Sequence, residues 1–240
     1  MKIDVRFSVE GLGDAELSGA TAVVIDVLRA TTSMVQALAS GAKAIYPTAS
    51  TEEAVKLLQS IGRDDTLLCG ERRTRRIEGY HLGNSPSEFT AEVVAGKRLI
   101  MNTTNGTRAF LAAESADRVI AAAFNNLGAV TVAVAGVERL VIACAGRSGA
   151  FALEDTLCAG HLIRRLRAAG TDPLILTDGA IAAEALADAF PVGDTLASTA
   201  AGRDLAEAGL GDDVADCARF DVHSVVPELD DRVIRLPHGG

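Results

Sequence analysis

Between residues 2 and 168 the chain alternates short β-branched apolar runs with longer segments of helical period, and this alternation constrains the fold most. Such alternation is the signature of an α/β fold: a mainly parallel sheet with helices on both faces. Strands are predicted at Lys2–Phe7, Ala22–Val27, Lys43–Tyr46, Thr66–Cys69, Arg98–Met101, Arg118–Ala123 and Arg139–Ala143. Helices are predicted over Ser33–Ser40, from Ser50 or Thr51 to Ser60, and in a short stretch begun by Ser87 or Thr90. Further helices are predicted over Arg108–Ala116, Asn126–Val134 and Phe151–Ala168. Gly11–Gly19 reads as loop and Arg72–Pro86 as irregular. Beyond the long helix the pattern changes. Ile175–Phe190 and Leu196–Ala208 are Ala-rich with helical period, Asp212–Arg219 adds a turn, and Arg232–Leu236 is a last strand placed at the sheet edge. Gly170–Pro173 is too short a linker to separate domains, so residues 1–240 are expected to form one domain with a helical C-terminal subregion.

Composition narrows the partners. With 48% apolar residues, 4% aromatic and no Trp, the core must be filled by Ala, Val and Leu. A net charge of -9 argues against nucleic acid and anionic membranes as ligands. It leaves room for a small anionic substrate met by a local basic patch. Cys69, Cys144, Cys158 and Cys217 form no CxxC pair, so neither a zinc site nor a disulfide framework is indicated. The alternating start Met1–Phe7 reads as a strand and not a signal peptide, and no apolar run reaches membrane-spanning length. The expected location is the cytoplasm.

Right-handed crossovers put strand carboxyl ends on one rim, where ligands of open α/β sheets bind. Four strand-to-helix connections carry unusual polar content: Asp26–Ser33, Gly70–Pro86, Asn102–Thr107 and Cys144–Asp155. Asp26 stops an apolar run and is a candidate Mg²⁺ ligand, base or nucleophile; a structural pair with Arg29 is the plain alternative. Thr31, Thr32 and Ser33 suit a helix N-terminus, which attracts phosphate. Thr103, Thr104, Asn105 and Gly106 offer hydroxyls, an amide and close backbone approach, or else ordinary capping. Cys144 and Arg147 lack the spacing of a Cys-x5-Arg phosphatase loop, so Cys144 reads as a buried thiol while Gly146 allows a phosphate-cradling turn. Glu154 and Asp155 start the long helix, favourable to its dipole or available for metal. Glu71 precedes the basic run Arg72–Arg76, of which one or two arginines could grip an anion. His81 is a loop histidine, and His161, His223 and His238 receive no role.

Several stretches together resemble the 2-phosphosulfolactate phosphatase family: Val24–Ser33, Gly70-Glu71, Leu82–Pro86 with Asn84 and Ser85, Thr103–Thr107, Cys144–Gly146 and Phe151–Gly160. Asp178–Ala180 and Val226-Pro227 also fit. The resemblance implies a three-layer α/β/α fold and a Mg²⁺-dependent phosphatase that converts 2-phospho-3-sulfolactate to 3-sulfolactate and phosphate, a step towards coenzyme M. Catalytic roles then fall to Asp26, Arg29 and Glu71, and candidate Mg²⁺ ligands are Asp26, Glu71, Glu154 and Asp155. Phosphate contacts fall to Thr31, Thr32, Ser33, Asn84, Ser85, Thr103, Thr104, Asn105, Gly106 and Gly146. A homodimer is the expectation for such a soluble enzyme. One departure stands out: the family commonly has an acid before Leu-Gly-Asn-Ser-Pro, and here the residue is His81. The residues alone also fit a non-catalytic binding protein for a small phosphorylated metabolite.

Overall fold

The computed structural model describes residues 1–10, 12–170 and 173–237, so His238 and part of Gly170–Pro173 lie outside the described residues. The strands are β1 (Lys2–Arg6), β2 (Thr21–Ile25), β3 (Ala44–Pro47), β4 (Thr66–Arg72), β5 (Arg75–Arg76), β6 (Arg98–Asn102), β7 (Arg118–Ala122), β8 (Arg139–Cys144), β9 (Ile175–Leu176), β10 (Glu228–Asp230) and β11 (Val233–Arg235). The helices in the sheet-forming part are α1 (Asp14–Leu17), α2 (Ala30–Ala39), α3 (Thr51–Ile61), α4 (Ala91–Val94), α5 (Gly106–Ala112), α6 (Leu127–Val134) and α7 (Leu153–Ala168). The C-terminal helices are α8 (Asp178–Ala189), α9 (Val192–Ser198), α10 (Ala200–Glu207) and α11 (Gly211–Cys217).

The strands join in the order β5-β4-β6-β3-β11-β10-β7-β2-β8-β1-β9. Alternate residues of a strand face opposite sides, and β2 shows it. Val23 and Ile25 pack with α6 and α7, whereas Ala22 and Val24 pack with α2 and α5. The central strands are therefore covered on both faces, which is why they read as continuous apolar runs.

The sheet is mixed in a specific way. β3, β6 and β4 are parallel to one another, as are β7, β2, β8, β1 and β9. The hairpin β10–β11 lies between the two blocks and is antiparallel to both β7 and β3. Three successive antiparallel pairings make the blocks run in opposite senses. The carboxyl ends of the two blocks therefore do not share one rim of the sheet, yet the connections after β2, β4, β6 and β8 all line one cleft.

Four expectations change. The last strand is not at the edge: β11 occupies the middle of the sheet, because the hairpin supplies antiparallel partners that neither block can supply itself. The stretch expected as loop over Gly11–Gly19, of which Gly11 lies outside the described residues, contains the short helix α1, anchored by the buried Leu17. Ile175-Leu176 is a strand beside β1 before helix α8 begins. The segment read as one helix over Leu196–Ala208 is two, divided at Thr199, whose hydroxyl caps α10 by accepting from Gly202 N.

Candidate active site

The four polar connections meet at a cleft of about 580 Å³. Asp26 and Arg29 follow β2, Glu71 and Thr74 belong to the β4–β5 hairpin, Thr103 to Asn105 follow β6, and Gly146 to Ser148 follow β8. Glu154 and Asp155 line it from the first turn of α7, and Asn84 from the loop before α4.

Asp26 sits on the cleft floor, almost wholly buried. Its Oδ1 accepts from Ala30 N at 3.2 Å, so the anion at the start of α2 is the chain's own carboxylate. Its Oδ2 has no hydrogen-bond donor among the described residues. Burial, with the charges of Glu71 and Glu154 added, pushes the Asp26 carboxyl up to about 7, against the pull of Ala30 N and Arg29. Gly106 is tied to this acid by space: a Cβ there would lie 2.8 Å from Asp26 Oδ2 and 2.3 Å from Ala30 Cβ.

The hydroxyl run after Arg29 is structural. Thr31 Oγ1 accepts from Asp26 N at 2.9 Å and donates to Asp26 O at 2.8 Å. Thr32 Oγ1 donates to Val27 O and Ser33 Oγ to Asn84 O, each at 2.8 Å. All three residues are buried away from the cleft lining, so the expected phosphate cradle at Thr31, Thr32 and Ser33 is not open to a ligand. Their hydroxyls fix the loop that presents Asp26 and Arg29.

Glu71 is a joint between two turns. Its Oε1 accepts from Thr104 N at 2.8 Å and its Oε2 from Thr74 N at 3.0 Å. Asp155 does the same across the sheet, with Oδ1 accepting from Val27 N at 2.9 Å and Oδ2 from Gly146 N at 3.1 Å. Burial pushes the Asp155 carboxyl up, reinforced by Asp26 and Glu154 and opposed by those two N–H donors. The Gly146 N–H is thus taken. Glu154 is also pushed up by burial, and its carboxylate has no donor from another residue among the described residues. The expected set of four metal acids is therefore not an equal set: two have both oxygens held by backbone N–H groups. Among the described residues no three His, Cys, Asp or Glu side chains are grouped to hold a metal on their own.

The turn after β6 is capped by Thr103, whose Oγ1 accepts from Thr107 N at 3.1 Å. Asn105 Oδ1 accepts from Ser148 N at 3.2 Å and links this turn to the β8 loop. Two polar atoms on cleft-lining residues are buried without a partner: Asn84 Oδ1 and Thr104 Oγ1. Buried polar groups are normally paired, so these two atoms are the structure's own pointers to a ligand.

Of the basic run, Arg73 and Arg75 line the cleft. Arg72 turns back to Glu71 O and Asn102 Oδ1, and Arg76 donates to His81 O. His81 is outside the lining; its Nδ1 accepts from Leu68 N at 3.0 Å and so extends the sheet edge. His161 packs edge-on against Phe124 and Phe220, and His223 bonds Gln36. Cys144 is fully buried, and burial raises its thiol well above the ordinary range, which suits a core residue and not a nucleophile.

Sequence reasoning missed one wall. Ala201, Asp204, Leu205, Glu207 and Ala208 bring α10 to the cleft, and Asp204 pairs with Arg147 across it. It also missed Asp213 of α11, the ion-pair partner of Arg29 at 2.5 Å. Ser85, expected at the substrate, donates its hydroxyl to the same Asp213 oxygen at 2.5 Å. Only the helical period of these segments was legible; their partners are far away in sequence.

Fold and cleft together define an α/β enzyme with an acidic floor and arginines at its mouth. The chain belongs to the 2-phosphosulpholactate phosphatase family, whose sequence pattern matches residues 7–232. It is 40% identical over 216 residues to the probable 2-phosphosulfolactate phosphatase of Symbiobacterium thermophilum, covering 88% of this chain and 92% of that one. It is 36% identical over 231 residues to the protein of the same name from Caldanaerobacter subterraneus, covering 93% of each. A third, from Gloeobacter violaceus, is 40% identical over 211 residues, 86% of each chain.

Proposed function

We propose that this protein is a Mg²⁺-dependent phosphatase that hydrolyses 2-phospho-3-sulfolactate or a closely related small anionic phosphate monoester. One observation carries the reading. A buried carboxylate with a free oxygen, Asp26 Oδ2, shares a cleft with Arg29, Arg73, Arg75 and Arg147 and with the unpartnered Asn84 Oδ1 and Thr104 Oγ1. Arginine forks bind phosphate, carboxylate and sulfonate oxygens bidentately, and a phosphorylated sulfolactate has all three groups.

The donor set fits Mg²⁺. This ion uses one or two carboxylates, keeps several waters and takes phosphate oxygens, and Asp26 Oδ2 and the Glu154 carboxylate are acid oxygens of the cleft lining that backbone donors from other residues leave free. Asp26, through Oδ2, and Glu154 are the residues that would hold it. When bound, the ion neutralises charge on the transferring phosphoryl group. The chain's own work is orientation. Arg29 neutralises a second phosphoryl oxygen, the Thr104 hydroxyl donates a hydrogen bond to the ester, and Arg73, Arg75 and Arg147 hold the remaining anionic groups. Asp26, with Oδ1 fixed by Ala30 N, keeps Oδ2, the atom that would hold the ion, turned into the cleft. Glu71 and Asp155 position the turns and are not expected to touch the substrate.

The test is phosphate release from 2-phospho-3-sulfolactate, with Mg²⁺ and with chelator, beside simple phosphate monoesters. Fast Mg²⁺-dependent release favouring the sulfonated ester is expected, and Asp26→Asn should abolish it with the fold intact. Release from other esters alone would retain the chemistry and reject this substrate. Saturable binding with no release from any ester would leave a binding protein.

A further inference from the structure

Asp213 lies in the first turn of α11 and is 4% exposed. Its Oδ2 accepts from Arg29 Nη1 and from Ser85 Oγ, both at 2.5 Å. Arg29 is equally buried, and its Nη2 donates to Thr74 O at 2.9 Å. Arg29 Nη1 also donates to Ser85 Oγ at 3.4 Å, so one guanidinium is held by α11, by the loop before α4 and by the β4–β5 turn. A guanidinium is a rigid planar fork, so anchoring two of its nitrogens fixes the direction of the rest, and Arg29 lines the cleft. An arginine already held loses little side-chain freedom when a ligand binds.

Resting on the reading of this cleft as a phosphate-ester site, we infer that Asp213 is a positioning residue that fixes the Arg29 guanidinium towards the phosphoryl group. The C-terminal helices then belong to the site through α11 as well as through the α10 wall. Ser85 acts in the same device: its hydroxyl holds the Asp213 oxygen that holds Arg29.

The alternatives have different signatures. If Asp213 only maintained the fold, its removal would reduce the fraction of competent protein and leave the affinity of that fraction unchanged. If it only contributed negative charge, its removal would tighten anion binding.

The experiment is calorimetric titration with inorganic phosphate in the presence of Mg²⁺, using wild type, Asp213→Ala, Asp213→Asn and Ser85→Ala, with ester hydrolysis measured in parallel. Asp213→Ala should weaken the Kd about tenfold or more at unchanged stoichiometry. Asp213→Asn, which keeps an oxygen acceptor, should weaken it less, and Ser85→Ala about threefold. Asp216→Asn, on the same helix but outside the cleft lining, should leave the Kd as it was. Should Asp213→Ala fail to fold, Asp213→Asn and Ser85→Ala decide by the same criterion. An unchanged or tighter Kd overturns the positioning role, even if wild type hydrolyses the ester. Wild type that binds phosphate but hydrolyses no ester overturns the phosphatase reading, while a weakened Kd in the variants still upholds the positioning role. Wild type that binds no phosphate overturns both.

Discussion

Asp26 works with both oxygens. One caps α2 through Ala30 N, and the other is left bare in the cleft. The sign of its pH dependence follows. Its folded carboxyl, pushed up to about 7, holds a proton that the unfolded chain releases near the ordinary value of 3.8. The stability linked to that proton is fully present below the unfolded value and is lost as pH rises through about 7. Without Mg²⁺, the thermal midpoint should therefore fall between about pH 5 and about pH 8, and Asp26→Asn should be the more stable protein at the upper end. Differential scanning fluorimetry across that range checks it; a wild type more stable than the variant at about pH 8 would contradict the assigned direction. Thiol chemistry gives a second check at this scale. Alkylation of the native protein with iodoacetamide should leave activity intact, because Cys69, Cys144, Cys158 and Cys217 are all buried. The acids themselves were legible, since a carboxylate at the end of an apolar run stands out. What each acid bonds was not. Asp155 meets Val27 from 128 positions away, and Asp213 meets Ser85 from as far. The acid pair Asp212-Asp213 at a helix start reads as dipole chemistry alone, so nothing local marked Asp213 out.

Turns and short helices hold the cleft together, and two of them can be tested directly. Gly106 starts α5 with no room for a side chain, so Gly106→Ala should cost about 1–3 kcal/mol by forcing α2 and α5 apart. Chemical denaturation reads that loss, and turnover should fall with it because Asp26 Oδ2 is one of the displaced atoms. Glu71 joins two turns with two oxygens, whereas Gln has one oxygen to offer. Glu71→Gln should lower kcat/KM about tenfold with a small change in thermal midpoint. An unchanged kcat/KM would show that the joint is not needed. Strands and long helices were legible to within a few residues because their apolar periods differ. The break at Thr199 was not, because Ala-rich sequence keeps its period across a capping residue. The hydroxyl run at Thr31–Ser33 misled for a related reason: helix-start residues satisfy the backbone or a ligand equally well, and here they satisfy the backbone.

At the scale of the molecule, the two parallel blocks are joined within the sheet, among the described residues, through β10 and β11. Class and layering were readable from alternation, but strand order was not. Strand order depends on which edges are left unpaired when the blocks form, and a three-residue strand such as Glu228–Asp230 has almost no pattern of its own. Ending the chain at Pro227 should remove the in-sheet connection between blocks and the antiparallel partners of Val119 and Ile45. Far-UV circular dichroism and protease digestion should then show a loosened chain, and a truncated protein with native protection would refute this. The same hairpin sets a timetable during synthesis. Everything up to Cys217 can emerge from the ribosome and still leave β7 and β3 with bare edges, so the sheet is completed only after residue 235 clears the exit tunnel. Until that hairpin is made, a nascent chain of this protein carries two open strand edges, and exposed strand edges invite pairing with other chains.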